Sequence, residues 1–384
     1  MFTSADRSFM ARALERAAEG MLTTRPNPRV GCVIVRNGEM IAEGYTAPAG
    51  GPHAEIRALE TIGFDARGAT LYVTLEPCSH HGRTPPCAEA LVRAAPARVV
   101  VAARDPHARV DGAGLERLRS AGIQVDYGLL EAESRALNPG FIARHERGWP
   151  LVRLKLAASL DGRAAMQSGE SKWITGAAAR QDVQRLRARS CAIVTGSGTV
   201  LADDPALTVR SQELPELSPF DAAFLGRHPP VRVVLDRALR TPPEARILKA
   251  PNVLLCAAES APAARREALR TAGAEVASVA DDGNGLDLEE LLRLLAAREC
   301  NEVLFECGPR LAAAVLEAGL VDELWLYQAP MLLGARARPM AELHFDRLAE
   351  SIRFEAAEVV AVGEDLRLML RPISAPGSNL SSPA

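Results

Sequence analysis

The chain has 384 residues, more than one hydrophobic core usually serves, so two domains are the first expectation. With 48% hydrophobic and 24% charged residues it falls outside the collagen-like, disulfide-rich and wholly disordered classes. Lys and Arg number 45 against 48 Asp and Glu, and aromatics are 4%. There is no basic surplus for a phosphate backbone and few platforms for stacked bases, so nucleic acid is not an expected partner.

The N-terminal run MFTSADRSFMARALERAAEGML carries acids within its apolar stretch and lacks a small-residue cleavage site, so it reads as a helix rather than a signal peptide. Phe9, Met10, Ala13, Leu14, Ala17 and Met21 give it an apolar face. VGCVIVRNGEMIAEGY is two β-rich runs joined by Asn37-Gly38, a pair suited to a type I′ hairpin turn. HAEIRALETIG predicts a helix and ATLYVTLEPC a strand. A helix over Pro85 to Ala95, the buried strand ARVVVAA, and the helix and strand of GLERLRSAGIQV follow. This is an α/β domain with helices on both sheet faces, assigned to residues 1–148. GFIARHERGWP reads as a linker.

A second α/β series occupies 149–373. It starts at LVRLKLAASLDG and continues through CAIVTG, VRVVLD, NVLLC and NEVLFECG. SQELPELSPFDAAFLGRHPP is expected to be a Pro-interrupted loop. DELWLYQAPMLL, IRFEAAEVVAV and DLRLMLR follow one another closely enough to be antiparallel. The tail 374–384 is small, polar and Pro-bearing and is expected to be disordered. No window reaches the roughly 20 apolar residues of a membrane span. Seven cysteines, several of them in apolar strands (Cys32, Cys191, Cys256), suit reduced thiols in the cytoplasm better than a disulfide framework.

The chemistry-bearing residues begin with His53-Ala54-Glu55 at the start of a predicted helix, followed by Pro77-Cys78 and then Cys87. One imidazole and two thiolates give zinc three ligands and leave a fourth position for water, which catalytic zinc acidifies to a pKa of about 7. His-x-Glu with Pro-Cys is the pattern of zinc nucleobase deaminases, in which the Glu moves protons and is not a ligand. There the cysteines are spaced C-x-x-C; here eight residues intervene. On the residues alone two other readings stay open: a structural zinc closed by His80 or His81, or core cysteines beside a solvated histidine.

HAEIRAL together with TLEPCSHHGRTPPC closely resembles the deaminase domain of the bifunctional riboflavin-biosynthesis deaminase/reductase family, in which the longer cysteine interval is normal. TRPNPRVGCV and Asp105-Pro106 extend the likeness. The resemblance implies a cytidine-deaminase-like three-layer domain. In it His53, Cys78 and Cys87 bind one Zn2+, Glu55 is the general acid/base, and Asn27 meets the pyrimidine. His80 and Arg83 are expected at the substrate's phosphate or ribose, and Asp105 and His107 in the substrate site, where His107 bears on recognition of the base. Two positions depart from the pattern: Thr46 stands where many members have histidine, and His107 where many have asparagine. We expect His107 partly to replace the missing imidazole from the opposite wall.

In the second half, Gly196-Ser197-Gly198 lacks the third glycine of a dinucleotide fingerprint and is weak evidence by itself. Gly308-Pro309, between a strand and a helix, places free N–H groups where an anion can sit. LKLAASLDGRAA, GESKWIT, GSGTVLADDPALTVR and FECGPRLAAA resemble the same family's reductase domain, which has a dihydrofolate-reductase-like α/β fold. The resemblance implies NADPH held by Ala157, Trp173, Thr199, Asp203, Gly308 and Pro309. It implies substrate contacts from Ser171, Arg187, Leu207, Arg210 and Glu306, the two arginines serving as phosphate partners. Lys155 lies among apolar strand residues and should need a carboxylate, from Asp161 or Glu306. No residue stands out as an obligatory proton donor.

The expected protein is therefore a cytoplasmic bifunctional enzyme. It deaminates a diaminopyrimidinone ribosylamine phosphate and then reduces its ribosyl group to a ribityl chain. Its partners would be that small phosphorylated pyrimidine and further copies of the chain, as a dimer before other states, with neither nucleic acid nor membrane. A zinc deaminase of another base or nucleoside, with a second domain for binding or assembly, is one alternative; a non-enzymatic, zinc-stabilised dinucleotide-binding module is the other.

Overall fold

The computed structural model describes residues 2–108 and 110–373, so the expected disorder of 374–384 lies outside the described residues. It contains two compact units, one up to Pro150 with Glu299–Asn301, the other Leu151–Arg298 with the residues from Glu302 onward.

In the first unit α1 (Ser4–Ala18) is opened by Thr3, whose hydroxyl accepts from the Asp6 N–H while the Asp6 carboxylate accepts from Thr3. Then come β1 (Gly31–Arg36), β2 (Glu39–Tyr45), α2 (Ala54–Thr61), β3 (Thr70–Leu75), α3 (Cys87–Ala94), β4 (Arg98–Ala103), α4 (Ala113–Ser120) and β5 (Gln124–Tyr127). The sheet order is β2-β1-β3-β4-β5, with β1 antiparallel to both neighbours and β3, β4 and β5 parallel. Asn37 and Gly38 both take positive φ (53° and 81°), as a type I′ turn requires. Period-two alternation divides the core into two layers. Cys32, Ile34, Leu71, Val73, Val99 and Val101 pack against Ala58, Leu59, Leu91 and Leu118 of α2, α3 and α4. Val33, Val35, Tyr72, Val100 and Ala102 face Met10 and Ala13 of α1.

The predicted linker is not one. Residues 131–147 form two helices, α5 (Glu131–Leu137) and α6 (Pro139–Arg147). Pro139 occupies the first turn of α6, three basic residues fill its last turn, and Gly148 closes it at φ 86°. Phe141 and Ile142 are buried in the sheet core, which the polar residues around them hid from a composition-based reading.

The second unit comprises β6 (Leu151–Ser159), β7 (Arg163–Ala165), α7 (Ala177–Arg189), β8 (Ala192–Gly196), α8 (Ser197–Asp203), α9 (Pro219–Arg227), β9 (Val231–Leu235), β10 (Val253–Ala257), α10 (Ala263–Thr271), β11 (Glu275–Ser278), α11 (Leu288–Ala297), β12 (Glu302–Glu306), α12 (Pro309–Glu317), β13 (Glu323–Ala329), β14 (Arg338–Pro339), β15 (Phe354–Val362) and β16 (Asp365–Pro372). Nine strands form one sheet in the order β11-β10-β9-β8-β12-β6-β13-β16-β15. β11 to β13 are parallel, and β16 and β15 complete the sheet antiparallel, as their close succession predicts. The expected loop at 211–230 instead holds α9, capped by the Ser218 hydroxyl and started by Pro219. Among the described residues no helix is long and apolar enough to cross a membrane.

Candidate active sites

His53 is the residue on which α2 begins and Cys87 the first residue of α3, so both stand where helical N–H groups lack intrahelical partners. β2 can run against the first turn of α2 because position 44 is glycine; a Cβ there would lie 2.6 Å from the Ala54 carbonyl oxygen. Cys78 follows β3 on the loop that leads to Cys87. His53 Nδ1 lies 3.6 Å from Cys78 Sγ and 3.3 Å from Cys87 Sγ, and the three donor atoms are all within 4.8 Å of one another. Tetrahedral zinc, with bonds of about 2.3 Å to sulfur and about 2.0 Å to nitrogen, sets N and S roughly 3.5 Å apart, so the donor set fits that ion. The Cys87 N–H points at Cys78 Sγ from 3.3 Å. Hydrogen bonding from Cys87, then from His53, drives the Cys78 thiol well below its ordinary range, toward the thiolate that binds metal.

Glu55 is buried on the first turn of α2. Burial pushes its carboxyl up to about 7, while the charges of His53 and Cys78 and a hydrogen bond with Cys87 tie it to the same pocket. Neither His80 nor His81 joins the three donor atoms. His80 and the exposed Arg83 lie on the loop between the cysteines, and Asn27 is half-buried in the turn before β1. Asp105 is buried just beyond β4; burial raises it to about 7 against the N–H of His107, which donates to its Oδ1 at 2.8 Å. His107 packs face to face on His80. Thr46 is buried at the end of β2, its hydroxyl and N–H both directed to the Val30 carbonyl.

Asn138 and His145 lie in no quoted motif, and Glu76, though inside TLEPCSHHGRTPPC, was not singled out from sequence; all three position the site. Asn138 accepts from the Arg29 N–H at 2.7 Å and donates to the Arg29 carbonyl at 2.9 Å, which fixes the segment bearing Asn27. His145 packs on His107. Glu76, next to Pro77-Cys78, accepts backbone N–H groups of Gly114 (2.9 Å), Gly112 (3.0 Å), Leu115 (3.3 Å) and Asp105 (3.4 Å). Position 114 tolerates only glycine, since a Cβ would lie 2.1 Å from the Pro77 carbonyl oxygen. Glu76→Ala leaves these buried donors unpaired and is expected to cost roughly 3 kcal/mol or more. Denaturant unfolding would check this, with zinc content falling in parallel because the cysteine loop starts there.

In the second unit, neighbouring strands β8 and β12 bring together two loops that are distant in sequence. The Gly308 N–H, expected to be free for an anion, instead donates to Thr199 Oγ1 at 3.1 Å, and Pro309 has no N–H, so Gly308-Pro309 opens α12 without offering a free donor of its own. Asp203 is exposed at the end of α8. Trp173 is 66% exposed with the Arg180 guanidinium 4.4 Å over its ring, so it is not a core residue. Ser171 lies in the same connection and Ala157 on β6. Arg187, expected at a substrate phosphate, grips Glu306 with Nε and Nη2 (2.6 and 2.9 Å) and donates Nη1 to the Thr208 carbonyl. Burial would raise Glu306, but Arg187 outweighs it and holds the carboxylate below its ordinary range. Lys155 stands opposite Glu306 in register, and burial lowers its ammonium while Glu306 supports it. Asp161 is engaged elsewhere, accepting from Ser159, Leu333 and Gly334. Leu207 is buried at φ 50°, and Arg210 pairs with Glu213 at 2.9 Å.

A His, Cys, Cys donor set beside a buried carboxylate, on the three layers of the first unit, defines a zinc-dependent deaminase; the second unit adds a separate α/β domain. The comparisons agree in both halves. Residues 3–103 match the cytidine and deoxycytidylate deaminase zinc-binding region, and residues 150–368 match the RibD C-terminal domain. The riboflavin biosynthesis protein RibD of Escherichia coli (strain K12) is 49% identical over 367 residues, covering 95% of this chain and 99% of that one. A structure of Acinetobacter baumannii RibD superposes with a TM-score of 0.89 at 46% identity, covering 96% of this chain and 99% of that one. A deaminase/reductase structure from Thermotoga maritima gives a TM-score of 0.81 at 34% identity, over 96% and 99%. The chain belongs to the RibD family.

Proposed function

We propose that the protein is a bifunctional enzyme of riboflavin biosynthesis. Its first unit hydrolytically deaminates 2,5-diamino-6-ribosylamino-4(3H)-pyrimidinone 5′-phosphate, and its second reduces the ribosyl group to a ribityl chain with NADPH. The observation that carries the reading is the convergence of His53, Cys78 and Cys87 beside the buried carboxyl of Glu55. These three residues would hold zinc, which supplies Lewis acidity that makes water a nucleophile near neutral pH. Glu55 takes a proton as water attacks the amine-bearing ring carbon and returns it to the departing ammonia. Asn27, Asp105 and His107 orient the pyrimidine, and His80 and Arg83 meet its ribosyl phosphate end.

In the second unit NADPH supplies the reducing equivalents. Thr199, Asp203, Gly308, Pro309, Ala157 and Trp173 would hold it, with Ser171, Leu207 and Arg210 around the substrate. The Arg187–Glu306 pair sets a fixed carboxylate at the end of β12, beside Lys155, to accept hydrogen bonds from pyrimidine or sugar. The enzyme would work in the cytoplasm as a homo-oligomer, a dimer first. In support of association, the outer strand β15 is exposed along most of its length, with Val359 and, on β16, Leu366 uncovered.

The test is metal analysis with a coupled assay on the pyrimidine phosphate. Zinc near one per chain, ammonia release without NADPH, and NADPH oxidation only after deamination are expected. Ammonia release from another base, with no oxidation, would replace this reading with that of a different deaminase. Kinetics of Thr46→His, His107→Asn and the double variant test the compensation between these positions. Non-additive changes in KM are expected, and strictly additive ones would remove the idea.

A further inference from the structure

Three imidazoles of the first unit lie in one row. His80, on the loop between the cysteines, stacks on His107 with ring centroids 5.2 Å apart and planes 19° apart. His107 meets His145 at 4.7 Å, and His145 meets Phe141 edge-on at 4.6 Å. Phe141 belongs to the buried core, so the row has a fixed end. Phe141 and His145 are four residues apart on α6, the spacing that puts two side chains on one face of a helix.

The chemistry of the row follows from its neighbours. His145 Nε2 lies 3.1 Å from Arg144 Nη2. A guanidinium only donates, so Nε2 accepts and the ring proton sits on Nδ1. Burial, then the charge of Arg144, lowers His145 to about 4, which leaves it neutral at pH 7. The His107 backbone is held as well: its N–H donates to Asp105 Oδ1 and its carbonyl accepts from Val110 and Asp111. At the other end of the row His80 Nδ1 is buried without a hydrogen-bond partner in the protein. A buried imidazole nitrogen left in that state marks a place where a polar ligand atom is wanted.

We propose that His145 is a positioning residue of the deaminase site: its ring braces His107 against His80 and fixes the paired imidazoles that meet the substrate. This rests on the deaminase reading above. The brace acts on binding rather than on proton transfer, because Glu55, not the row, moves the proton.

The experiment compares His145→Leu, of similar bulk without a ring, with His145→Phe, which keeps the ring and drops the nitrogens. Both are assayed for ammonia release from the pyrimidine phosphate in the zinc-loaded full chain, with zinc content as the control for folding of the first unit and reduction of the deaminated product as that for the second. For His145→Leu, KM is expected to rise about three- to tenfold, the worth of one aromatic pair, with kcat within about twofold of the parent. For His145→Phe, KM should return to within about twofold. In a His107→Ala background His145→Leu should add nothing further. An unchanged KM in His145→Leu, equal losses in both variants, or full additivity with His107→Ala would each overturn the inference. Those results leave the deaminase reading standing, since that reading fails only if the parent releases no ammonia or if release is indifferent to Glu55.

Discussion

Glu55→Gln will lower kcat for deamination by about 10²- to 10⁴-fold while zinc content and NADPH-dependent reduction of the deaminated pyrimidine stay at parental levels. The amide keeps the shape and the place of the side chain on the first turn of α2, so the three donor atoms, which come from His53, Cys78 and Cys87, are left alone. What it removes is a group able to take and return a proton. The parent carboxyl is suited to that task because burial raises it to about 7, near the pH at which it must do both. Two measurements on one preparation decide the matter: metal content by elemental analysis, and ammonia release at saturating substrate. Retained activity with retained zinc would reduce the site to a structural metal centre. Lost activity with lost zinc would make Glu55 part of the metal's scaffold rather than of the chemistry. The reductase rate reports on the second unit alone and guards against a general loss of folding.

What could be read before the fold was known follows from how each feature is encoded. Local pattern sufficed for β1 and β2 with their Asn37-Gly38 turn, because a two-residue loop with both φ angles positive admits few residue types. The His53, Cys78 and Cys87 donor set was legible for a similar reason: His-x-Glu at one helix start, and Pro-Cys on the loop leading to Cys87 at another, are short local patterns. The linker prediction failed because α6 is polar on most of its surface and anchors itself through only Phe141 and Ile142. Its boundaries were nonetheless written in Asn138-Pro139 at one end and Gly148 at the other. With that helix missed, the spacing that joins Phe141 to His145 had no meaning, and His145 could not be placed beside His107. The roles of Glu76, a residue of the TLEPC run, and of Asn138 were hidden for a different reason. Each serves backbone groups of distant segments, Glu76 those of 105–115 and Asn138 those of Arg29, and backbone partners leave no signature in side-chain pattern. Arg187 and Glu306 were both singled out, but only the structure shows that each is the other's partner.

Arg153→Met should destabilise the second unit by about 3–5 kcal/mol, more at alkaline pH than in mild acid. Arg153 lies on β6 with 1% of its surface exposed, between Glu302 of β12 and Glu323 of β13, the strands on either side. Glu323 receives its Nε at 2.6 Å and also accepts the Trp325 indole N–H at 3.0 Å; a second cation, Arg189, lies 3.5 Å from Glu302, and its charge acts on Glu323 as well. In the parent, burial would raise Glu323, but Arg153 outweighs it and holds the carboxyl below its ordinary value. A carboxylate held down in the folded state contributes stability above its unfolded pKa and loses it as pH falls, so the parent's contribution is complete at neutral pH and fades in acid. Methionine fills much the same volume but leaves two carboxylates in the sheet interior with one peripheral cation. Desolvation then places their folded pKa above the unfolded value, and the sign reverses: what stability remains is present in acid and declines as pH rises. Urea unfolding followed by tryptophan fluorescence at pH 5 and pH 8 would show the variant's deficit widening toward pH 8. Replacing both carboxylates as well, in Arg153→Met with Glu302→Gln and Glu323→Gln, should recover most of the loss and flatten the pH dependence, because the penalty comes from unpaired buried charge rather than from the missing contacts of arginine. A single variant as stable as the parent at pH 8 would show that water or Arg189 already neutralises the pair.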